Sequence, residues 1–317
     1  MSFRRALRWF FWVVGLLVGL IGAIAAILTR RMIAPPRSRL WASPGDLGLG
    51  YEDVQFPAQD GVRVAGWFIP AADSSRRKGA TIVLVHGWLW NRLGTLSDDL
   101  FADLVGSRPV DLLRLAYALH RDGYHVLMYD VRNHGESAAA PPVAFGQEEA
   151  KDLLGALAYL NGRSDVDPAR IGAIGFSMGA NSLLYALPQT SHIKAAIAVQ
   201  PTTIAPFNQR FAHHLLGPLA RLVLPVVELM YQAAGGLYWR AYQPSFAAAG
   251  AGEVPLLFIQ GNGDRWGDVE DVARMAEVAP NARGPLFVDA TDRFDGYRYL
   301  IDHPMVAFSF FEQELPE

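Results

Sequence analysis

The stretch Arg170-Ile-Gly-Ala-Ile-Gly-Phe-Ser-Met-Gly-Ala-Asn181 decides how the rest of the chain is read. Ile171 to Phe176 is an apolar run of strand length, and Ser182-Leu-Leu-Tyr-Ala-Leu187 reads as a helix. Between them Gly175-Phe-Ser-Met-Gly179 fits G-x-S-x-G, a corner that lifts a serine hydroxyl clear of a sheet. The flanking glycines leave room for neighbouring backbone, and the start of a helix favours nearby negative charge. A nucleophile for acyl transfer needs both features. Ser177 is therefore the candidate nucleophile; the alternative is a serine that merely tolerates a tight turn.

Three other segments extend the pattern outward. Thr81-Ile-Val-Leu-Val-His-Gly-Trp88 is a strand running into a His-Gly loop. His125-Val-Leu-Met-Tyr-Asp-Val-Arg-Asn-His-Gly-Glu-Ser137 is a strand followed by D-x-R-x-H-G-x-S. Pro255-Leu-Leu-Phe-Ile-Gln-Gly-Asn-Gly-Asp264 is a strand ending in G-x-x-D. With the serine corner, and in this order from about residue 51 onward, they resemble the α/β-hydrolase superfamily. Within it the chain is similar to serine hydrolases and serine aminopeptidases, as a membrane-anchored bacterial-type member.

The resemblance implies a site. Ser177 would attack, and the backbone amides of Met178 and Trp88 would form the oxyanion hole, holding the charge that develops on the carbonyl oxygen. Asp264 would orient a histidine, unless it is an ordinary turn aspartate capping the next helix. That histidine should lie between the last strand and the last helix. The loop here is Asp289-Ala-Thr-Asp-Arg-Phe-Asp-Gly-Tyr297, and Arg293 stands in the slot. Arginine stays protonated and cannot act as a base near neutral pH. His303, the only histidine after Asp264, precedes Pro304 and reads as a helix-entry residue, a poor base for Ser177. His86, His134, Asp130 and Arg132 belong to turn motifs, and His213 and His214 lie in the insertion described below.

Two functions stay open. One is a serine hydrolase acting on an ester or related acyl bond; no residue favours an amide over an ester. The other is a pseudo-hydrolase that binds a ligand or partner, with Arg293 either paired to Asp264 or holding an anion. Both imply a small-molecule acyl substrate or ligand. No His/Cys/Asp/Glu cluster has metal-ligand spacing, so no metal and no cofactor are expected.

Composition bounds these readings. The 317 residues are 51% hydrophobic with a net charge of −3, which gives no case for nucleic acid as a partner. The chain has no cysteine, which excludes disulfides and thiol nucleophiles.

Trp9 to Leu28 is an uncharged apolar run long enough to span a bilayer, flanked by Arg4, Arg5 and Arg8 and by Arg30 and Arg31. It reads as a single-pass membrane anchor over 9–29, after a basic tail 1–8; a cleaved signal peptide is the competing reading. Basic residues on both sides leave the orientation open. The proline- and arginine-rich segment 30–50 reads as a linker. The domain 51–317 begins with a hairpin around Gln59-Asp-Gly61. Apolar runs near 80–85, 125–130, 171–176, 194–199, 255–260 and 284–289 then alternate with helices at about 108–122, 147–162, 178–187 and 268–279, and one from about 297 to 315. That alternation predicts a mostly parallel twisted sheet with helices on both faces, the α/β fold class. The apolar insertion 202–253 reads as a helical cap over an acyl pocket, with plain packing or a membrane-touching surface as alternatives.

Overall fold

The computed structural model describes residues 3–315 apart from 73 and 78. Met1 and Ser2 of the expected tail and the last two residues of the expected domain lie outside the described residues. The strands of the main sheet are β1 (Glu52–Pro57), β2 (Arg63–Ile69), β3 (Thr81–Val85), β4 (His125–Tyr129), β5 (Ile171–Phe176), β6 (Ile193–Val199), β7 (Leu256–Gly261) and β8 (Ala282–Val288). They form one eight-stranded sheet in the order β1-β2-β4-β3-β5-β6-β7-β8. The hairpin β1–β2 and the β2–β4 pair are antiparallel, and the pairs from β4 to β8 are parallel.

The strand sequences explain the layering. β3, β4 and β5 are apolar at nearly every position and buried throughout, as strands covered on both faces must be. The helices are α1 (Phe3–Ile33), α2 (Leu100–Val105), α3 (Leu112–Arg121), α4 (Ala150–Asn161), α5 (Met178–Ala186), α6 (Ile204–Leu216), α7 (Ala220–Ala233), α8 (Pro244–Ala249), α9 (Val269–Val278), α10 (Arg293–Asp302) and α11 (Met305–Glu314). One core layer holds residues of α4, α5, α8 and α9, and the other holds residues of α3, α10 and α11. Helical spacing predicts a core face from Leu153, Leu154, Leu157 and Leu160; three are buried in the first layer, and Leu154 is only partly buried against it.

Several expectations are corrected. The last helix is two: Pro304 removes a backbone donor, and α10 and α11 meet at His303-Pro304. α2 was not expected; Asp99 caps it by accepting from the Ala102 amide at 2.7 Å. Residues 30–50, expected as a linker, lie against the domain. α1 runs on to Ile33, with Ala25, Thr29 and Met32 buried against the domain, and the Val143 amide donates to the Met32 carbonyl. Arg37 donates to the carbonyls of Gly135 and Ser137, and the buried Asn91 amide donates to the Arg39 carbonyl at 3.0 Å. The strap is held because it supplies acceptors and one guanidinium to loops that lack partners.

Candidate active site

The serine corner forms as its sequence predicts. β5 ends at Phe176, α5 begins at Met178, and Ser177 between them has φ 53° and ψ −114°. A side chain in that region carries strain, which neighbouring constraints hold in place. A Cβ on Gly175 would stand 2.3 Å from the Gly179 carbonyl, and one on Gly179 would stand 2.2 Å from the Val85 carbonyl. Both glycines are thus required by close backbone approach. The Ser177 amide donates to the Val199 carbonyl at 2.9 Å, and Asn181 on α5 bridges the Phe145 and Thr202 carbonyls.

Ser177 is half-buried and opens on a cavity of about 560 Å³. Trp88, Trp90, Phe207, Phe211, Trp266 and Phe294 give it a largely aromatic wall. The insertion contributes Phe207 and Phe211 through α6, and the strap contributes Leu40 and Trp41. The cavity size falls in the range of about 300–1,000 Å³ usual for small-molecule sites.

Of the residues expected to supply oxyanion amides, Met178 directly follows Ser177, and Trp88 follows Gly87 at the end of the β3 loop. Met178 is the first residue of α5, so its N–H is among those a helix cannot satisfy internally. The residue before Trp88 packs against the corner: a Cβ on Gly87 would lie 3.3 Å from the Ser177 Cβ.

Arg293, the first residue of α10, bridges the serine and the acid. One Nη donates to Asp264, and the other donates to the Ser177 hydroxyl at 3.2 Å, the Gln200 carbonyl at 2.9 Å and the Thr202 hydroxyl at 2.8 Å. Its Nε donates to the Tyr297 phenol, one helical turn on. The two charged side chains are 3% and 1% exposed. Burial opposes the Arg293 charge, but Asp264 and Tyr297 more than offset it and hold the guanidinium above its usual range. Burial raises the Tyr297 phenol, against the lowering pull of Arg293 and of a hydrogen bond to Ser177. A phenol raised in this way stays protonated at neutral pH and is a poor base. Asp264 is further held by the amides of Trp266 at 3.0 Å and Gly267 at 2.9 Å.

Close approach of two loops builds this arrangement. A Cβ on Gly263 would stand 2.0 Å from the Ala290 carbonyl, so the Gly-Asn-Gly-Asp turn admits the loop that leads into α10. Asp292 caps α10 and pairs with Arg108 at 2.5 Å. Sequence reasoning missed Gln200, Thr202 and Tyr297. Gln200 is fully buried at φ 50°, and its side chain donates back to the Arg293 carbonyl at 2.6 Å. Only Tyr297, four residues after Arg293, left a signal that helix periodicity could have found.

The histidines lie elsewhere. His303 sits exposed at the far end of α10, its Nδ1 on the Tyr299 carbonyl at 3.0 Å, roughly 15 Å along the helix from Arg293. It is therefore removed as a base for Ser177. His86 and His134 are buried turn residues. The Val131 amide donates to His86 Nε2 at 3.0 Å, and the Leu89 amide donates to His134 Nε2 at 3.3 Å. Burial, its largest cause, pushes His134 down to about 3. His214 lies edge-on to Trp266 with ring centres 5.8 Å apart. The turn acids have arginine partners: Asp130 pairs with buried Arg92 at 2.7 Å, and Arg132 pairs with Asp152 and Asp60. Arg92 left no signal in the sequence, because the partners are brought together only by the adjacent ends of β3 and β4.

The chain resembles known proteins. A protein of Mycobacterium tuberculosis is 28% identical over 235 residues, covering 74% of this chain and 69% of that one. YfhR of Escherichia coli is 24% identical over 247 residues, covering 78% and 74%. Among solved structures, the Pyrococcus furiosus esterase Pf2001 superposes with a TM-score of 0.66 at 23% identity, over 90% of this chain and 99% of that one, a likeness of fold. Residues 82–313, from β3 through α11, match the alpha/beta hydrolase family, and this chain belongs to it.

Proposed function

We propose that this protein binds an acyl- or ester-bearing small molecule in the cavity over Ser177 and does not turn it over at the rate of a working serine hydrolase. The family carries acyl- and ester-bond hydrolysis as its general chemistry. The observation behind the narrower reading is Arg293, which donates to both the Ser177 hydroxyl and Asp264, between which a triad histidine would have to stand. A guanidinium offers only donors. It can fix the serine oxygen, but it cannot take the proton that must leave as the oxygen attacks. The oxyanion amides of Trp88 and Met178 and the aromatic wall would still hold a carbonyl compound. Loss of a triad member leaves roughly 10³–10⁴-fold over water, from binding and the oxyanion hole alone.

A second reading, a slow serine hydrolase, draws support from Ser177 itself. The strained φ of 53° is retained at a corner where a binding protein has no need of it. Substitution separates the two. Arg293→His should raise ester hydrolysis by about 10²–10⁴-fold, the usual worth of a positioned general base. It should also turn on fluorophosphonate labelling of Ser177. If the unaltered protein already hydrolyses simple esters at roughly 1–10³ s⁻¹, the ordinary enzymatic range, the binding reading is wrong.

The reading includes a membrane. α1 is long and apolar enough to cross one: its most apolar 18 residues have a mean hydropathy of 2.6. Spanned over 9–29, it would be a single-pass anchor placing the cavity beside the bilayer, because Arg31, in the last turn of α1, is part of the cavity wall. Alkaline carbonate extraction of membranes tests this: an anchored protein stays in the pellet.

A further inference from the structure

α1 and α7 pack side by side, and their register sets the depth of the insertion. The Thr29 hydroxyl of α1 donates to the Val227 carbonyl of α7 at 3.5 Å. Further on, Tyr231 of α7 donates to the Val143 carbonyl, and the Val143 amide donates to the Met32 carbonyl of α1. The two helices therefore run parallel, with Val227 level with Thr29 and Tyr231 beside the end of α1. Ala25, Thr29 and Met32 form the buried stripe of α1, whereas Trp9 to Leu20 is exposed throughout. The apolar run Trp9–Leu28 is about 30 Å long, the hydrocarbon thickness of a bilayer, so a spanning α1 puts Leu28 at the edge of the hydrocarbon. The start of α7 then lies inside it. Leu222 stands about 7 Å beyond the level of Val227 and Thr29, toward the bilayer, and the turn Gly217–Leu219 stands at the leading end of α7.

The residues there suit hydrocarbon. Arg221 is the only charged residue from 215 to 226, and its long stem lets the guanidinium reach back to the head groups. Leu222 (58% exposed), Pro225 and Leu229 (67% exposed) make an outward stripe at helical spacing. Glu228, the one acid of α7, is half-buried and accepts from the Trp239 amide at 2.8 Å. Arg30, exposed just past Leu28, falls at the level of the lipid phosphates.

We infer that the leading end of the α6–α7 pair, from about Leu216 to Leu222, is immersed in the leaflet through which α1 reaches the domain, and that the partner of the Leu222–Pro225–Leu229 stripe is lipid acyl chain. Leu229 then lies at head-group level, and the immersion matches the depth of about 5–10 Å usual for interfacial helices. The inference rests on the single-pass reading of α1 above. It has a consequence for the cavity: α6 also supplies Phe207 and Phe211 to the cavity wall, so the bilayer holds that wall in a fixed orientation to its surface.

The test uses the full chain reconstituted in phosphatidylcholine vesicles. The protein has no cysteine, so each single-cysteine variant carries one spin label. Leu16→Cys marks the uncovered part of α1, where the native side chain is 70% exposed, and Glu270→Cys marks an exposed position on α9. Leu222→Cys and Leu229→Cys report on α7. All four replace exposed side chains, which leaves the core packing intact. The readout is collision with oxygen, which concentrates in lipid, against collision with a nickel chelate, which stays in water. Oxygen should dominate at Leu16 and Leu222 and the chelate at Glu270. Leu222 should lie about 10 Å deeper than Leu229, which follows it by two helical turns. Chelate dominance at Leu222 with oxygen dominance at Leu16 overturns the immersion and leaves the span of α1 standing. Chelate dominance at both overturns the span and the immersion with it. Exclusion of both reagents at Leu222 places a second copy of the chain on the stripe, and equal depth at Leu222 and Leu229 lays α7 flat on the surface; either result overturns the inference.

Discussion

Replacing Arg293 by methionine tests the central feature of the site. The substitution keeps most of the side-chain volume and removes the charge. Asp264, 1% exposed, then faces the interior without its counter-ion. Breaking a buried ion pair from one side typically costs about 3–5 kcal/mol. Asp264 would keep the Trp266 and Gly267 amides and the Gln260 side-chain amide at 3.2 Å, which pulls the figure toward the lower end. The Gln200 carbonyl, in turn, loses a donor at 2.9 Å, which pushes it up. The expected loss is about 4 kcal/mol. Urea unfolding of the detergent-solubilised protein, followed by tryptophan fluorescence, reads it as a lower midpoint at unchanged slope. The double change Arg293→Met with Asp264→Leu removes the stranded charge as well and should recover most of the loss, because an apolar pair of similar volume often matches or exceeds a buried ion pair. A single-variant cost below about 1 kcal/mol, or losses that simply add in the double variant, would refute the view of Arg293 and Asp264 as one coupled unit.

Two further outcomes follow from the same geometry. Ser177→Gly relieves a non-glycine φ of 53°, worth about 1–3 kcal/mol, against roughly 1 kcal/mol of added chain entropy in the unfolded state, so the unfolding midpoint should rise slightly; a clear fall would show that the corner is unstrained. His134 should stay neutral far below the usual histidine range. Its folded pKa is pushed down to about 3 by burial, while the unfolded chain takes up the proton near 6.5. Between those values the unfolded state binds more protons, so stability falls as pH drops from 6.5 toward 3, by up to about 1.4 kcal/mol per pH unit from this group. His86 is lowered by burial too and acts in the same direction. Proton NMR of the His134 ring checks this, and a titration near pH 6.5 in the folded protein would contradict it.

Local chemistry was legible in the sequence. The serine corner could be read because its residue types lie within five positions: two glycines on which a Cβ would come within 2.2–2.3 Å of neighbouring backbone, and a strand-to-helix turn. The parallel strands could be read because burial on both faces demands unbroken apolar runs, as in Thr81–Val85 and Ile171–Phe176. The slot without a histidine was visible too, since a missing residue type needs no coordinates. The helix break at Pro304 is also local, since a proline removes a backbone donor, and His303-Pro304 carries the helix-entry signal that separates α10 from α11.

What surrounds Arg293 was not legible. Its partners Ser177 and Gln200 lie 116 and 93 positions away, and only the strand order, which sets the ends of β5, β6 and β7 side by side, brings them to one guanidinium. The same holds for the strap after α1, which composition marks as a linker and which the fold uses as a cavity wall. The sequence alone determined the period of each element and the shape of its tight turns, because those depend on neighbours along the chain. The tertiary structure decided which donors meet which acceptors, because a buried charge or amide takes the partner that packing brings within reach.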